Sequence, residues 1–218
     1  MKKFVFAITT VMIALSGNIA YAKEPVNLAA IKDELVQYHD SGEYTQDIKA
    51  VITSAMDYLK QRVSQQHNKK LAIVLDIDET SLSNYKDMLD LNFGGTYEEI
   101  QLAEDKGLDP AIESTLELYK YAKAHDVSVF FITGRSEDER TITAQNLKHE
   151  GYSSWDGLIL RDGEYLKTSA EKYKVAMRRK LVDEGYDIVL NISDQQSDIA
   201  GGYADKTYKL PNPYYFIP

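Results

Sequence analysis

The sequence predicts an α/β fold in which a parallel sheet is covered by helices. Short apolar runs such as LAIVL (71–75) and VSVFFI (127–132) are typical of strands buried on both faces. Segments with apolar residues at helical spacing alternate with these runs, as in parallel α/β sheets. A length of 218 residues with 44% hydrophobic residues suits one domain with a full core and a modest insertion.

The elements follow one another in a simple order. Two helices are expected in residues 27–66, separated at Ser41-Gly42, and the first strand follows at 71–75. Residues 84–126 contain no convincing strand, and they predict a small helical cap insertion with a helix starting at Asp109-Pro110. The remaining strands are expected at 127–132, 157–160, 187–192 and 207–210, with helices at 137–150 and 169–184 between them.

The first 22 residues have the pattern of a secretory signal peptide. Two lysines precede an apolar segment (4–15), and AYA (20–22) supplies an A-x-A cleavage site. The apolar segment is shorter than a membrane-spanning helix requires, so an uncleaved anchor is the less favoured alternative. We expect cleavage after Ala22, a mature domain of residues 23–218, no stable membrane insertion, and a periplasmic or secreted location.

The composition limits the classes of ligand. The formal net charge is −9, and no block of lysine and arginine offsets it, so a nucleic-acid polymer is not expected as a partner. The absence of cysteine excludes disulfides, thiolate metal sites and a cysteine nucleophile. An anionic substrate would need positive charge from a metal ion or from particular basic residues, which favours a small ligand.

Polar side chains stand at the carboxyl ends of three predicted strands. Asp76 and Asp78 follow the first strand, Thr133 follows the second, and Asp194 and Asp198 follow the fourth. Because these ends share one edge of a parallel sheet, we expect the side chains to lie close together. Clustered carboxylates without cysteine or paired histidine suit Mg²⁺ before zinc, and Mg²⁺ commonly accompanies phosphate substrates. An isolated D-x-D motif would instead favour a solvated acidic turn.

Four segments in the same order resemble the motifs of the haloacid-dehalogenase-like (HAD) phosphohydrolases. They are DIDET (76–80), FFITGR (130–135), YKVAMR (173–178) and SDQQSD (193–198). The similarity is greatest to the class B/C acid phosphatases (subfamily IIIB), which include bacterial secreted acid phosphatases and plant vegetative storage proteins. It extends from about Lys70 to the end, including YKLPNP (208–213). The resemblance implies a three-layer, Rossmann-like parallel sheet.

The resemblance also implies roles for the carboxylates. Asp76 would be the nucleophile that forms an aspartyl-phosphate, and it would bind Mg²⁺ through its other oxygen. Asp78 would protonate the leaving alcohol and then activate water, while its backbone carbonyl binds the metal. Asp194 would complete the metal site, with Asp198 behind it. Ser193 stands where the family usually has glycine, so its side chain is expected to crowd this loop.

The phosphate group would be held by three other residues. The resemblance implies that Thr133 donates to a phosphate oxygen, that the backbone amide of Gly134 assists, and that Lys174 neutralises charge and restrains Asp76. Composition alone does not separate Lys174 from Lys172 on the same basic helix, and only the Y-K-x-x-x-R match selects Lys174.

These inferences predict an exported, Mg²⁺-dependent acid phosphatase of broad specificity for phosphomonoesters. An acidic optimum is expected because Asp78 must be protonated to act as an acid. A binding or storage protein on the same scaffold and phosphate transfer to an acceptor alcohol remain alternatives. Side chains early in the insertion are expected either in its core or as an apolar wall over the substrate, namely Tyr85, Met88, Phe93 and Tyr97. All four histidines are expected at the surface.

Overall fold

A five-stranded parallel sheet forms the centre of the protein, in the order β3-β2-β1-β4-β5. The computed structural model describes residues 24–218, so the predicted signal peptide lies outside the described residues. The strands are β1 Lys70–Leu75, β2 Ser128–Ser136, β3 Gly157–Arg161, β4 Tyr186–Ser193 and β5 Lys206–Lys209. The predicted parallel α/β fold is therefore confirmed.

Eight α-helices surround this sheet in residues 24–218. They are α1 Leu28–Asp40, α2 Glu43–Ser64, α3 Tyr85–Asp90, α4 Tyr97–Glu104, α5 Glu113–Ala124, α6 Arg140–His149, α7 Ala170–Asp183 and α8 Gln196–Ile199. Short 3-10 segments occur at Glu137–Glu139 and Gly163–Lys167. None of the helices in this part of the chain is long and apolar enough to cross a membrane.

Of two helix boundaries predicted from the sequence, one agrees with the structure and one does not. The predicted break after α1 is correct, because Gly42 adopts φ +82°, a left-handed conformation that glycine allows at low cost. The predicted helix start at Asp109-Pro110 is wrong, since α5 begins at Glu113. Leu82 forms an antiparallel bridge with Ala111, and this long-range pairing holds the preceding residues out of the helix.

Alternate residues of β1 face two different helical layers. Leu71, Ile73 and Leu75 belong to the larger core, which also contains buried side chains of α2 and α5. Ala72 and Val74 belong to a smaller core that includes Tyr173 and Leu181 of α7. Burial on both faces explains the unbroken apolar sequence of β1 and produces the three layers.

The strand order places a crevice at the end of the central strand. β2 and β4 pair with opposite edges of β1, and the chain connections therefore diverge at this point. Within residues 84–126, α3 and α4 contribute side chains to the cavity at this edge. In contrast, α5 packs against α2 and β2 in the core layer.

Candidate active site

Asp76 lies directly after β1 and is held by a buried lysine. Its backbone nitrogen donates to the carbonyl of Ile192 in β4 at 3.0 Å. Lys174 Nζ donates to Asp76 Oδ1 (2.6 Å), to Asp198 Oδ2 (2.9 Å) and to the carbonyl of Ile132 (2.7 Å). These contacts use the three donors of the ammonium group. Lys174, only 3% exposed, is thus a fixed internal cation.

The position of α7 separates the two lysines that composition left equivalent. Lys172 is exposed, whereas Tyr173 and Lys174 belong to the buried face of the helix. Arg178 lies one turn beyond Lys174 on that face and donates to backbone carbonyls in and after α8, including that of Asp198 in the helix. Helix α7 therefore positions both Lys174 and the segment around α8 that supplies its second carboxylate, Asp198.

Three carboxylates converge at this edge of the sheet. Asp76, Asp194 and Asp198 are buried, and one oxygen of each lies within 4.8 Å of the others. Burial raises the pKa of Asp76 well above its usual range, Lys174 opposes this shift, and the neighbouring carboxylates add to it. One ammonium group faces three carboxylates, so an excess of negative charge and oxygen donors remains. This donor set fits a hard divalent cation.

The carboxylate of Asp194 is oriented by two amide side chains. Gln195 Nε2 and Asn212 Nδ2 both donate to its Oδ2, at 2.6 and 2.7 Å. Burial raises the pKa of Asp194, while these two hydrogen bonds lower it. Such partners fix the direction of a ligating carboxylate, and the Oδ1 atom remains on the side of Ser193.

Ser193 lies inside the carboxylate cluster. Its hydroxyl donates to Asp198 Oδ2 at 2.7 Å and lies 3.3 Å from Asp76 Oδ2 and 3.4 Å from Asp194 Oδ1. Because a hydroxyl has one proton, it satisfies one carboxylate at a time. The side chain therefore adds a polar contact to the cluster that glycine would lack.

Asp78 faces a different cation from Asp76. Arg135 donates to it through Nε (3.1 and 3.2 Å to the two oxygens) and through Nη2 (2.6 Å to Oδ1). The same Nη2 contacts Asp109 Oδ2 at 3.2 Å. Burial raises the pKa of Asp78, but the charge and hydrogen bonds of Arg135, with contributions from Asn84 and Lys174, together hold that pKa below its usual value. The sequence left the role of Arg135 open, and the structure places it beside Asp78.

The turn between β1 and α3 is fixed by another buried carboxylate. Glu79 adopts φ +48° and accepts hydrogen bonds from the hydroxyl of Tyr44 and from the backbone nitrogen of Asn84. Burial raises its pKa to about 8, and the hydrogen bond from Tyr44 opposes the shift. Glu79 thus connects the turn that carries Asp78 to helix α2.

The two expected phosphate-binding residues of β2 differ in exposure. Thr133 is fully buried, and its Oγ1 accepts a hydrogen bond from the backbone nitrogen of Arg135 at 3.1 Å. Gly134 is exposed and lines the cavity. A Cβ atom added to Gly134 would meet no heavy atom within 4 Å, so the space beside its Cα atom is open.

A cavity of about 420 Å³ joins these groups. The structure brings together at its wall the expected residues other than Thr133: Asp76, Asp78, Gly134, Lys174, Asp194 and Asp198. Apolar side chains complete the lining, namely Met88, Ile100, Leu166, Phe216 and Ile217. The arrangement suits a small anionic ligand with an apolar part.

The apolar and aromatic residues predicted early in the insertion divide between wall and core, except Tyr97, whose side chain lies outside the described part of the chain. Met88 lines the cavity, whereas Tyr85 and Phe93 pack against Tyr214 with ring centroids 5.4 and 5.8 Å apart. The His39 ring stacks on Tyr85 with ring centroids 3.3 Å apart, and its side chain is 30% exposed, so this histidine lies at the surface but is partly covered. The other three histidines are exposed.

The fold and this carboxylate site define a class of phosphohydrolase, and comparison with known sequences identifies the family. The family model described as "HAD superfamily, subfamily IIIB (Acid phosphatase)" matches residues 10–218, and the chain belongs to this family. The expected enzyme class, an acid phosphatase acting on phosphomonoesters, is thereby confirmed.

Several relatives share most of their length with this chain. Acid phosphatase 1 of Solanum lycopersicum is 34% identical over 189 residues, covering 85% of this chain and 74% of the relative. Stem 28 kDa glycoprotein of Glycine max is 36% identical over 187 residues, covering 83% and 72%. Vegetative storage protein 1 of Arabidopsis thaliana is 30% identical over 210 residues, covering 93% and 75%.

Solved structures support the fold independently. The class C acid phosphatase from Bacillus anthracis superposes with a TM-score of 0.71 at 24% identity, over 85% of this chain and 86% of that one. Agreement at this identity concerns the arrangement of the sheet and helices. The roles of individual residues depend on the geometry described above.

Proposed function

We propose that this protein is an exported, Mg²⁺-dependent acid phosphatase that works through an aspartyl-phosphate on Asp76. The observation that carries the proposal is the placement of Asp76 and Asp78 against separate buried cations at the end of β1. Lys174 fixes one carboxylate within the acidic cluster, and Arg135 fixes the other beside it. One aspartate is thus positioned to attack, and the other to exchange a proton.

The reaction divides into two displacements. In the first, a carboxylate oxygen of Asp76 attacks phosphorus, the bond from phosphorus to the alcohol oxygen breaks, and Asp78 gives its proton to the departing alcohol. In the second, Asp78 takes a proton from water, the water oxygen attacks phosphorus, and the Asp76 carboxylate is released with inorganic phosphate. Asp78 therefore ends each cycle protonated, as it began.

The remaining polar groups would bind and neutralise the phosphate. The hydroxyl of Thr133 and the amide of Gly134 are proposed to donate to phosphate oxygens, and Lys174 to balance their charge. Mg²⁺ would be held by the carboxylates of Asp76 and Asp194 and by the carbonyl of Asp78. When bound, it would supply positive charge against the phosphate. Asp198 would remain paired with Lys174 beside the metal.

The segment that includes α3 and α4 is proposed to act as the cap over the leaving group. Met88 and Ile100 contribute apolar surface to the cavity from these helices. Apolar contacts of this kind discriminate weakly among leaving groups, which supports broad specificity for small phosphomonoesters.

Export is proposed from the first 22 residues. Their basic, apolar and A-x-A segments predict cleavage after Ala22 and a periplasmic or secreted product. N-terminal sequencing of protein recovered from periplasmic and culture fractions tests this directly. A product that retains residues 1–22 in the membrane fraction would contradict it.

Phosphate release from phenyl phosphate tests the enzymatic proposal. We expect turnover with an acidic optimum in Mg²⁺, loss of turnover in EDTA, and restoration by added Mg²⁺. Asp76→Asn should reduce kcat by at least about 10⁴-fold because it removes the nucleophile. The matched control is Asp183→Asn, which changes an exposed carboxylate of α7. Turnover by Asp76→Asn at the wild-type rate would refute the proposed nucleophile.

A storage or binding protein is the second candidate, favoured by the names of several relatives. The pairing of Asp76 with buried Lys174, and of Asp78 with Arg135 beside it, supports the enzyme instead. Absence of turnover by folded, Mg²⁺-loaded protein on aryl phosphates and nucleotides would favour the storage role. Release of alcohol in excess of phosphate, in the presence of a second alcohol, would indicate phosphate transfer.

A further inference from the structure

Arg161 is a cation of the cavity that the proposed chemistry does not use. It is the last residue of β3, and Ser136 of β2 is its partner in the sheet. Its side chain lines the same cavity as Asp76 and Lys174. The guanidinium carbon lies 5.3 Å from the ring centroid of Tyr173, and this stacking holds the group against α7.

The hydrogen-bonding capacity of Arg161 is largely unused. Its Nε is buried without a hydrogen-bond partner, and the guanidinium makes one long contact, from Nη1 to the carbonyl of Thr168 at 3.5 Å. A guanidinium group has five N–H donors. A buried donor without an acceptor is unfavourable, so an acceptor supplied by a ligand would be bound with a gain in free energy.

The other cations of the cavity are fully engaged. Lys174 is bound by Asp76 and Asp198, and Arg135 is bound by Asp78 and Asp109. Arg161 is the one cation lining this cavity that forms no carboxylate pair within residues 24–218. Arg161 is therefore a cation not committed to a carboxylate, in a lining that also includes Glu104 and Glu139.

We propose that Arg161 binds a second anionic group on the leaving alcohol of the substrate. The preferred substrates would be phosphomonoesters whose alcohol also carries a carboxylate or a further phosphate. The planar guanidinium fork matches either group, and it can form two parallel hydrogen bonds to one of them. This inference rests on the proposed phosphatase function and names the substrate class of the same site.

Matched aryl phosphates provide the test. The substrates are 3- and 4-carboxyphenyl phosphate, with the corresponding carbamoylphenyl phosphates as neutral analogues of the same shape. Wild type is expected to show a higher kcat/KM for at least one carboxylate than for its amide. Arg161→Met, which keeps the apolar stem of the side chain, should reduce that preference about 10-fold while changing the amide rate little. Arg161→Lys should retain part of the preference.

Binding to an inactive form gives a second readout. Titration calorimetry can be carried out in the inactive Asp76→Asn variant. Adding Arg161→Met to this variant should weaken the binding of carboxyphenyl phosphate about 10-fold and change the binding of the carbamoyl analogue little. Arg179→Met is the control, because this arginine is exposed on α7 and lies outside the cavity wall. Circular dichroism of each variant separates loss of binding from loss of folding.

The outcomes distinguish this inference from the proposed function. If Arg161→Met lowers kcat/KM and binding equally for the carboxyphenyl ester and its carbamoyl analogue, Arg161 binds the reacting phosphate and the inference is overturned. Equal use of carboxylate and amide by wild type would overturn it as well. If wild type hydrolyses none of the esters, the proposed function fails, and the calorimetric comparison alone still decides whether Arg161 recognises the second anion.

Discussion

Asp76 and Asp78 are two residues apart, yet their surroundings differ in geometry and in charge. The ammonium group of Lys174 donates one hydrogen bond to Asp76 and one to each of two other acceptors. Arg135 reaches Asp78 through two nitrogens in a planar fork. Asp76 therefore lies among more carboxylates than Lys174 can neutralise, whereas Asp78 is paired with one guanidinium group of matching geometry.

This difference explains the opposite pKa shifts of the two carboxyl groups. Burial raises the pKa of Asp76 and is reinforced by Asp194 and Asp198 against Lys174. Burial acts in the same direction on Asp78, but Arg135, with Asn84 and Lys174, lowers its pKa by more than burial raises it. Both shifts belong to the ligand-free site and oppose the proposed roles, because a nucleophile must be ionised and a general acid must be protonated. The proposed chemistry therefore requires bound Mg²⁺ to lower the pKa of Asp76 and the negative charge of a bound phosphate to raise the pKa of Asp78.

Among the variants that test this difference between Asp76 and Asp78, removal of Lys174 should have the largest effect on stability. Lys174→Met leaves Asp76 and Asp198 without their common cation, so we expect a loss of about 3–5 kcal/mol in the free energy of unfolding in EDTA. Mg²⁺ should recover part of the loss. Urea unfolding with and without the metal measures both effects, and Lys172→Met serves as the exposed control on the same helix. Equal stability of the two variants would contradict the account.

Replacement of Arg135 should change activity in a way that depends on the leaving group. Arg135→Lys keeps one charge but cannot form the fork that orients Asp78. We expect kcat/KM to fall about 10-fold for alkyl phosphates, which need protonation of the leaving oxygen, and little for p-nitrophenyl phosphate. A uniform loss across leaving groups would show that Arg135 does not act through Asp78.

Asp109, on the far side of Arg135, provides a test by pH. Burial raises its pKa to about 7, with Arg135 opposing the shift and Asp78 adding to it. Because an unfolded aspartate titrates near pH 4, the folded state binds the extra proton between about pH 4 and 7. Stability from this group is therefore present at low pH and is lost as the pH rises through about 7.

The corresponding variant is Asp109→Asn, which cannot titrate. Urea unfolding in EDTA at several pH values should show that wild type loses stability relative to the variant as the pH rises from about 4 to 7. Asp183→Asn, on the exposed face of α7, should follow wild type throughout. A constant difference between wild type and Asp109→Asn would contradict the raised pKa.

The smallest effect is expected at Ser193. Ser193→Ala removes the donor to Asp198 and should lower the free energy of unfolding by about 1 kcal/mol in EDTA. Ser197→Ala, which removes a hydroxyl contact to a backbone carbonyl of the neighbouring segment, is the matched control. If Ser193→Ala unfolds at a higher urea concentration than wild type, the hydroxyl crowds the cluster instead of supporting it.

The sequence was most informative where apolar runs end in acidic residues. The runs of β1 and β4 located Asp76 and Asp194 because burial on both faces leaves a continuous apolar pattern and a sharp polar boundary. Lys174 required the resemblance, since its helix carries other lysines at similar positions. A buried face containing Tyr173, Lys174 and Leu181 becomes evident only when the helix is seen against the sheet.

The contacts that orient the site could not be read from local patterns. Asn212 reaches Asp194 across 18 positions, and Arg135 reaches Asp78 across 57. No periodicity or turn signal encodes such pairs, because they arise from the order in which the strands are placed in the sheet. The unpaired donor of Arg161 is similarly visible only once every neighbour is in position.

Trapping the phosphorylated enzyme is the most direct test of the proposed roles, in which Asp76 is the nucleophile and Asp78 the general acid and base. Enzyme mixed with radiolabelled p-nitrophenyl phosphate and quenched in acid should retain label that hydroxylamine releases, as for an acyl phosphate. Asp78→Asn should accumulate more label than wild type, because water attack on the intermediate lacks its base. Asp76→Asn should retain none. If Asp76→Asn retained as much label as wild type, another group would be attacking phosphorus, and the account would be contradicted.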